Sequence, residues 1–306
     1  MRRAAERIVL VIAGALLVSL VAGCPTTPPP TPTDELAVPT APPPSYAELV
    51  AVYNRRASNL SSFTAYATVK LDWVERDDDG ELQDRHEFGD ARLIFRAPLE
   101  VALTVEKVGK LLLWAGSDGE RFWVIDAASD DERVAHLGAV RVARTADTDP
   151  LRMSAASAPD LLGMRPLPPL VAEPPVIEAV AGGYRFVRPD DAVRITVSPE
   201  DWSPVRVEVL DDAGWPVVRS ELSGNVTAKL NQVDPARWPS LPKTATVRPI
   251  RPDGEPDSSR MELVIARIDA RKAVRDDWFD FDALVNALRV DEVVDLDGVR
   301  DSEDGE

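Results

Sequence analysis

The chain has one cysteine and two histidines in 306 residues. A lone cysteine excludes disulfides and thiolate metal sites, and two imidazoles, His86 and His136, give little material for a histidine-built metal centre or triad. Positive charge is also scarce: 35 Lys and Arg stand against 52 Asp and Glu, a formal net charge of −17. Phosphate backbones and anionic headgroups repel such a chain, so no nucleic-acid partner is expected. The sequence contains no P-loop, dinucleotide fingerprint or G-x-S-x-G elbow. Asp77-Asp78-Asp79-Gly80 lacks the twelve-residue calcium-loop pattern with its closing glutamate and reads as a solvated hairpin tip. Asp276-Asp277 and Asp295 with Asp297 are similarly weak, and no motif selects a carboxylate pair for hydrolysis. No catalytic residue, cofactor or metal is expected, and the chain reads as a non-enzyme.

Long apolar runs are missing too, with one exception at the N-terminus. Arg2, Arg3 and Arg7 precede an apolar stretch from Ile8 to Val21. As a helix it would rise about 21 Å, short of the roughly 30 Å hydrocarbon core, so it fits a signal peptide (1–23) better than a span. It ends on Val21-Ala22-Gly23-Cys24, which resembles the bacterial lipobox. That resemblance implies cleavage before Cys24, diacylation of its sulfur, and attachment to a membrane through the acyl chains. The expected location is the cell envelope, lipid-anchored and facing the periplasm. Pro25 stands where an aspartate retains lipoproteins inside in enteric bacteria, which favours the outer membrane over the inner.

Residues 24–44 are rich in proline and threonine, including Pro28-Pro29-Pro30 and Pro42-Pro43-Pro44. They cannot form a helix or a ladder and read as an extended polyproline tether reaching up to about 60 Å at ~3.1 Å per residue. One folded domain is expected over 45–290, followed by a frayed acidic tail over 291–306. Ser45-Tyr46-Ala47-Glu48 fits a capping box, and Tyr46, Leu49, Val50, Tyr53 and Leu60 recur at helical spacing, predicting a helix over 46–60.

From Phe63 the period becomes two. Ala65, Ala67, Val69, Leu71 and Trp73 alternate with polar residues, as do Gly89, Ala91, Leu93 and Phe95, and then Val101, Leu103 and Val105. Leu111-Leu112-Leu113-Trp114 is apolar on both faces and needs a cover on each. A strand over Phe122–Ile125 follows. Residues 149–165 read as a helical insert, with Asp149 as cap and Leu151, Met153, Leu161, Leu162 and Met164 as its apolar side, split by Pro159. Strand signals resume near 176–180, 184–187, 193–197, 205–210, 217–222, 226–230, 244–247 and 261–270, separated by turn residues.

A helix, about five strands, a proline-interrupted helical insert and further strands make an order that resembles the LolA/LolB-like lipoprotein-localisation family. Leu60-Ser61-Ser62-Phe63, the corner Arg96-Ala97-Pro98, the hairpin from Ser117-Asp118-Gly119 to Asp126, and Phe279-Asp280-Phe281 carry the likeness, which covers about residues 45–282. It implies a mainly β (α+β) fold: an incomplete antiparallel β-barrel of about 11 strands, with an N-terminal helix and a central helical lid or plug. It also implies a protruding apolar residue in receptor members, for which Leu82 is the nearest candidate beside its plainer reading as a strand start.

On this reading Val69, Leu71, Trp73, Leu93, Phe95, Val101, Leu103, Leu111, Leu113 and Trp123 line a concave cavity for acyl chains of lipoprotein or lipid cargo. Leu151, Met153, Leu161, Leu162 and Met164 form the lid. The same residues would equally fill an ordinary core, leaving a monomeric scaffold or adaptor that meets an envelope protein through its outer face. The volume of the interior separates the two readings, because an acyl chain needs several hundred Å³.

Overall fold

The computed structural model describes residues 37–57, 60–76, 81–129, 132–140, 157–169, 171–189, 192–231, 233–271 and 273–297. Cys24, the signal region, most of the tether, the Asp77–Gly80 turn and the lid residues Leu151 and Met153 lie outside them.

Helix α1 (Tyr46–Ala57) starts on the predicted capping box. The Ser45 hydroxyl accepts from the Glu48 amide at 3.3 Å, and the Glu48 carboxylate accepts from the Ser45 amide at 2.9 Å. The strands are β1 (Ser62–Arg76), β2 (Leu82–Arg96), β3 (Glu100–Lys107), β4 (Lys110–Ser117), β5 (Arg121–Asp126), β6 (Val134–Ala139), β7 (Glu178–Val180), β8 (Gly183–Val187), β9 (Val193–Val197), β10 (Pro204–Leu210), β11 (Pro216–Thr227), β12 (Ser240–Pro249) and β13 (Arg260–Asp269). Helix α2 (Phe281–Leu288) and strand β14 (Glu292–Asp295) follow.

The fourteen strands among the described residues form one sheet in the order β14-β6-β5-β4-β3-β2-β1-β13-β12-β11-β10-β9-β8-β7. Every pairing is antiparallel except β14 on β6. The sheet does not close on itself, yet it must curl. Leu113 on β4 and Phe186 on β8 pack into one cluster with Leu49 and Tyr53 of α1. Nine strand spacings separate β4 from β8, about 43 Å if flat, whereas a helix is only ~10–12 Å across. Wrapping around α1 is the way both strands reach it. This is an incomplete antiparallel barrel, the architecture that the sequence resemblance implies, with fourteen strands among the described residues where about eleven were expected.

The apolar run at 111–114 is covered on both sides. Leu113 faces the α1 cluster, while Trp114 faces outward and meets Trp278 edge-on at 5.9 Å between ring centroids. The outer cover is α2, whose Phe281 and Leu284 pack on Ile94, Ala102 and Ile125. The Asp280 side chain caps α2 by accepting from the Ala283 amide at 3.0 Å. The acidic tail expected from Asp291 therefore begins as an ordered edge strand: β14 gains a ladder on β6, and the Asp291 carboxylate accepts from the Arg133 amide at 2.9 Å.

Candidate functional site

The concave face is lined by the inward residues of successive strands. Val69, Leu93, Phe95 and Val101 are buried there, and Leu71, Leu103 and Leu113 are half-buried against the same cluster. Leu111 is half-buried at the start of β4. Two expected members lie elsewhere. Trp123 is on the opposite face of β5, fully buried against Phe281 of α2 at 6.0 Å between rings. Its run, Phe122 to Ile125, is buried on both faces, Trp123 and Ile125 under α2, Phe122 against Val140 and Leu296, and Val124 against Ala115 and Leu113, so alternation alone left its facing open. Trp73 lines a separate polar notch where the β1–β2 hairpin runs past the end of β13, and it takes no part in the apolar cleft.

The mouth of the half-barrel is occupied by residues 157–169, here called the plug. Its helical turn at 157–161 includes Pro159; the Leu162 amide donates to the Ala158 carbonyl at 3.0 Å and the Met164 amide to the Pro159 carbonyl at 2.8 Å. Residues 149–156, on the other side of the expected split, lie outside the described residues. Leu161, Leu162 and Met164 all point into the core and are buried. Leu161 packs on Val209, Val218 and Val247, and the other two join the α1 cluster.

Polar contacts fasten the plug to α1 and to the end of β8. The Tyr53 hydroxyl donates to the Gly163 carbonyl at 3.2 Å, and the Arg56 guanidinium donates to the same oxygen. Burial pushes the Tyr53 phenol above its ordinary range, so it stays protonated and remains a donor. Asn54 makes a two-way clasp with Leu167, donating to its carbonyl and accepting from its amide, both at 2.8 Å. Asp160 pairs with Arg188, and Arg165 stands 3.7 Å from the same carboxylate. Gly163 has φ +60 and lies so close to Pro204 that a Cβ would come within 2.5 Å of the ring, so this corner requires glycine.

Between the plug and the sheet remains an apolar cleft of about 40 Å³. Leu93, Val101, Leu103, Leu161 and Leu162 line it, joined by Ala245, Met261 and Leu263, which the sequence reading left out. Met261 and Leu263 alternate along β13, and that period was the available signal. The volume exceeds the ~10–15 Å³ that admits one water, but falls far below the roughly 300–1,000 Å³ of ligand pockets. An acyl chain does not fit the cleft as it stands.

At the far end of the sheet the expected protruding candidate, Leu82, is 65% exposed at the start of β2. A second apolar residue protrudes further. Val108 is 99% exposed at the tip of the β3–β4 hairpin, between Lys107 and Lys110. Its φ of 52 places a β-branched residue in the left-handed region. Among the described residues no cluster of three His, Cys, Asp or Glu could hold a metal.

Fold and site together define an open half-barrel with an apolar concave face and a short inserted segment seated in its mouth. Known structures include similar chains. A LolA superfamily protein from Nitrosomonas europaea has a TM-score of 0.46 and 10% identity over 78% of this chain and 99% of its own. A putative outer membrane lipoprotein-sorting protein domain from Vibrio parahaemolyticus has a TM-score of 0.41 and 9% identity over 79% and 97%. A DUF1329 family protein from Desulfovibrio piger has a TM-score of 0.43 and 12% identity over 78% and 97%. No protein-family profile matches the sequence, and no curated protein matches it.

Proposed function

We propose that this chain is a non-enzymatic lipoprotein of the cell envelope, anchored through acylated Cys24, that holds an acyl chain of a lipid or lipoprotein in its concave face once the plug moves aside. The observation that carries this reading is the nature of the stopper. One wall of the apolar cleft is a short segment inserted by three side chains, Leu161, Leu162 and Met164, and not a strand of the sheet.

The magnitudes are compatible. Exposing three such side chains costs about 5–9 kcal/mol, at ~1.5–3 each. A sixteen-carbon chain taking their place recovers on the order of 10 kcal/mol at ~0.8 per methylene. Local opening of a small element also costs less than opening a sheet. The tip at Val108, an apolar side chain flanked by two lysines, suits contact with a bilayer surface, where the lysine stems bury and their heads stay wet.

The small cleft favours one rival, an adaptor whose interior is permanently filled and whose outer face meets an envelope protein. Native mass spectrometry of protein extracted gently from membranes separates the two. A co-purified lipid, together with saturable uptake of a fluorescent fatty acid at micromolar concentration, supports the carrier. A clean apo mass with no uptake leaves the adaptor. For the anchor, Cys24→Ser should move the protein from the membrane to the soluble fraction; retention in the membrane would disprove acylation as the attachment.

A further inference from the structure

The convex face of the sheet carries a row of charges that runs from strand to strand. Arg219 on β11 stands directly opposite Arg248 on β12. One residue beyond the Val247–Met261 pair, the same register sets Arg248 beside Arg260 on β13. Three guanidiniums thus occupy adjacent strands about 5 Å apart, where like charges repel.

Only the two outer arginines have partners. Arg219 donates to Glu208 at 2.9 Å, and Glu208 also meets Arg194 at 3.4 Å. Arg260 donates to Asp72, whose other oxygen meets His86 Nδ1 at 2.6 Å. These contacts hold the Asp72 carboxyl below its ordinary range. Arg248, in the middle, makes no ion pair or hydrogen bond among the described residues. The neighbouring convex row is balanced by comparison, with Lys70 opposite Glu262 and Arg206 paired to Glu221 at 2.8 Å. A chain with net charge −17 has carboxylates to spare, yet none among the described residues pairs with Arg248.

Arg248 and Arg260 open onto the notch that also holds Trp73, a space of about 350 Å³ and within the range of ligand sites. Of its three carboxylates, one is committed through both oxygens and a second through one oxygen. Both oxygens of Asp72 are taken, and Asp257 accepts from the Ser259 amide at 2.8 Å and the Ser258 hydroxyl at 3.2 Å within its own turn. What remains is an excess of donors: the five N–H groups of Arg248 and the terminal nitrogens of Arg260. Asp84, exposed on the rim, and the ionised Asp257 are the two carboxylates that oppose an anion there.

We propose that this notch binds a phosphate group, free or as a phospholipid headgroup, with Arg248 as its principal contact and Arg260 as the second. Paired guanidinium forks match tetrahedral oxyanions in both geometry and charge. A bound phosphate would also relieve the repulsion along the row.

The test uses the full chain carrying Cys24→Ser, so that the acyl anchor does not dominate. Inorganic phosphate is titrated by calorimetry and by tryptophan fluorescence, and flotation is measured with vesicles of phosphatidylglycerol and of phosphate-free digalactosyldiacylglycerol. Saturable phosphate binding is expected to weaken at least tenfold in Arg248→Gln, less in Arg248→Lys, and not at all in Lys243→Gln, an exposed lysine elsewhere on β12. Asp84→Asn should tighten it. Flotation with phosphatidylglycerol alone that depends on Arg248 assigns a headgroup. Binding of free phosphate without flotation assigns a soluble ligand. Absence of saturable binding by either probe, or equal loss in Arg248→Gln and Lys243→Gln, overturns the proposal.

Discussion

Asp160 of the plug and Arg188 beyond β8 form an ion pair shut off from solvent, with side-chain exposures of 5% and 1%. Breaking such a pair from one side leaves a buried charge without its partner, which costs about 3–5 kcal/mol. Asp160→Asn should therefore lower the unfolding free energy measured in urea by that amount, through a lower midpoint at an unchanged m-value. The double variant Asp160→Leu with Arg188→Met should recover most of the loss, because both charges go together. A single variant as stable as the parent would mean that this contact does not hold the plug.

Leu161 gives a second measurement with opposite signs in two assays. Its truncation in Leu161→Ala removes packing on Val209, Val218 and Val247 and should cost about 2–5 kcal/mol of stability. The same change enlarges the apolar cleft and weakens the stopper, so uptake of a fluorescent fatty acid should become faster and tighter. Lower stability with unchanged uptake would favour the filled adaptor.

Val108 is strained and solvent-exposed at once. An asparagine tolerates the left-handed conformation, so Val108→Asn should raise stability by about 1 kcal/mol in a thermal melt. Flotation of the same variant with vesicles should fall, because the apolar tip between the lysines is gone. Unchanged flotation would remove the hairpin from any bilayer contact.

Asp126, at the end of β5, supplies a pH prediction. Burial raises its carboxyl above the ordinary 3.8, partly offset by the Ala128 amide that donates to it. A carboxyl raised in the folded state is most favourable to folding below its unfolded value, and that advantage disappears as pH climbs through the folded value. Asp126→Asn can keep the Ala128 contact and carries no charge. It should melt higher than the parent at pH 7, with the difference vanishing toward pH 3.5. A gain that persists at low pH would point to a cause other than ionisation.

Arg248 offers a ligand-free check on the convex row. Removing the central charge in Arg248→Gln should raise stability by about 0.2–1 kcal/mol in phosphate-free, low-salt buffer. The gain should shrink as salt screens the row. A destabilised variant would mean that Arg248 has a stabilising role in the fold itself.

Much of the fold was readable in the chain because its signals are local. The alternation of Ala65, Ala67 and Val69 sets which side of β1 faces α1, and the two-sided run at Leu111–Trp114 demanded a cover on each face, supplied by α1 and α2. The cover itself was harder to see. Phe281, Leu284, Val285 and Leu288 stand at helical spacing behind the Asp280 cap, yet no helix is expected there, where Phe279-Asp280-Phe281 serves only as a bearer of the family likeness. The strand signals at 217–222 and 226–230 belong largely to one strand, β11, which runs through Gly224 at φ +61 without ending. Strand β6 lies in a stretch of weak pattern, and β14 depends on a partner 158 residues away, which no local window contains. The site divides in the same way. Inward residues followed from period two, whereas the small volume left by the plug depends on how Leu161 and Leu162 pack against distant strands.

An unclosed sheet presents two free margins on which another copy could stack, and this one limits both. β7 is three residues long and follows Pro174-Pro175, while β14 is four residues long and bears Glu292 and Asp295. Brevity, proline and negative charge each discourage strand-to-strand growth between molecules. A protein crowded against its neighbours on a two-dimensional surface would thereby stay dispersed without having to complete its barrel.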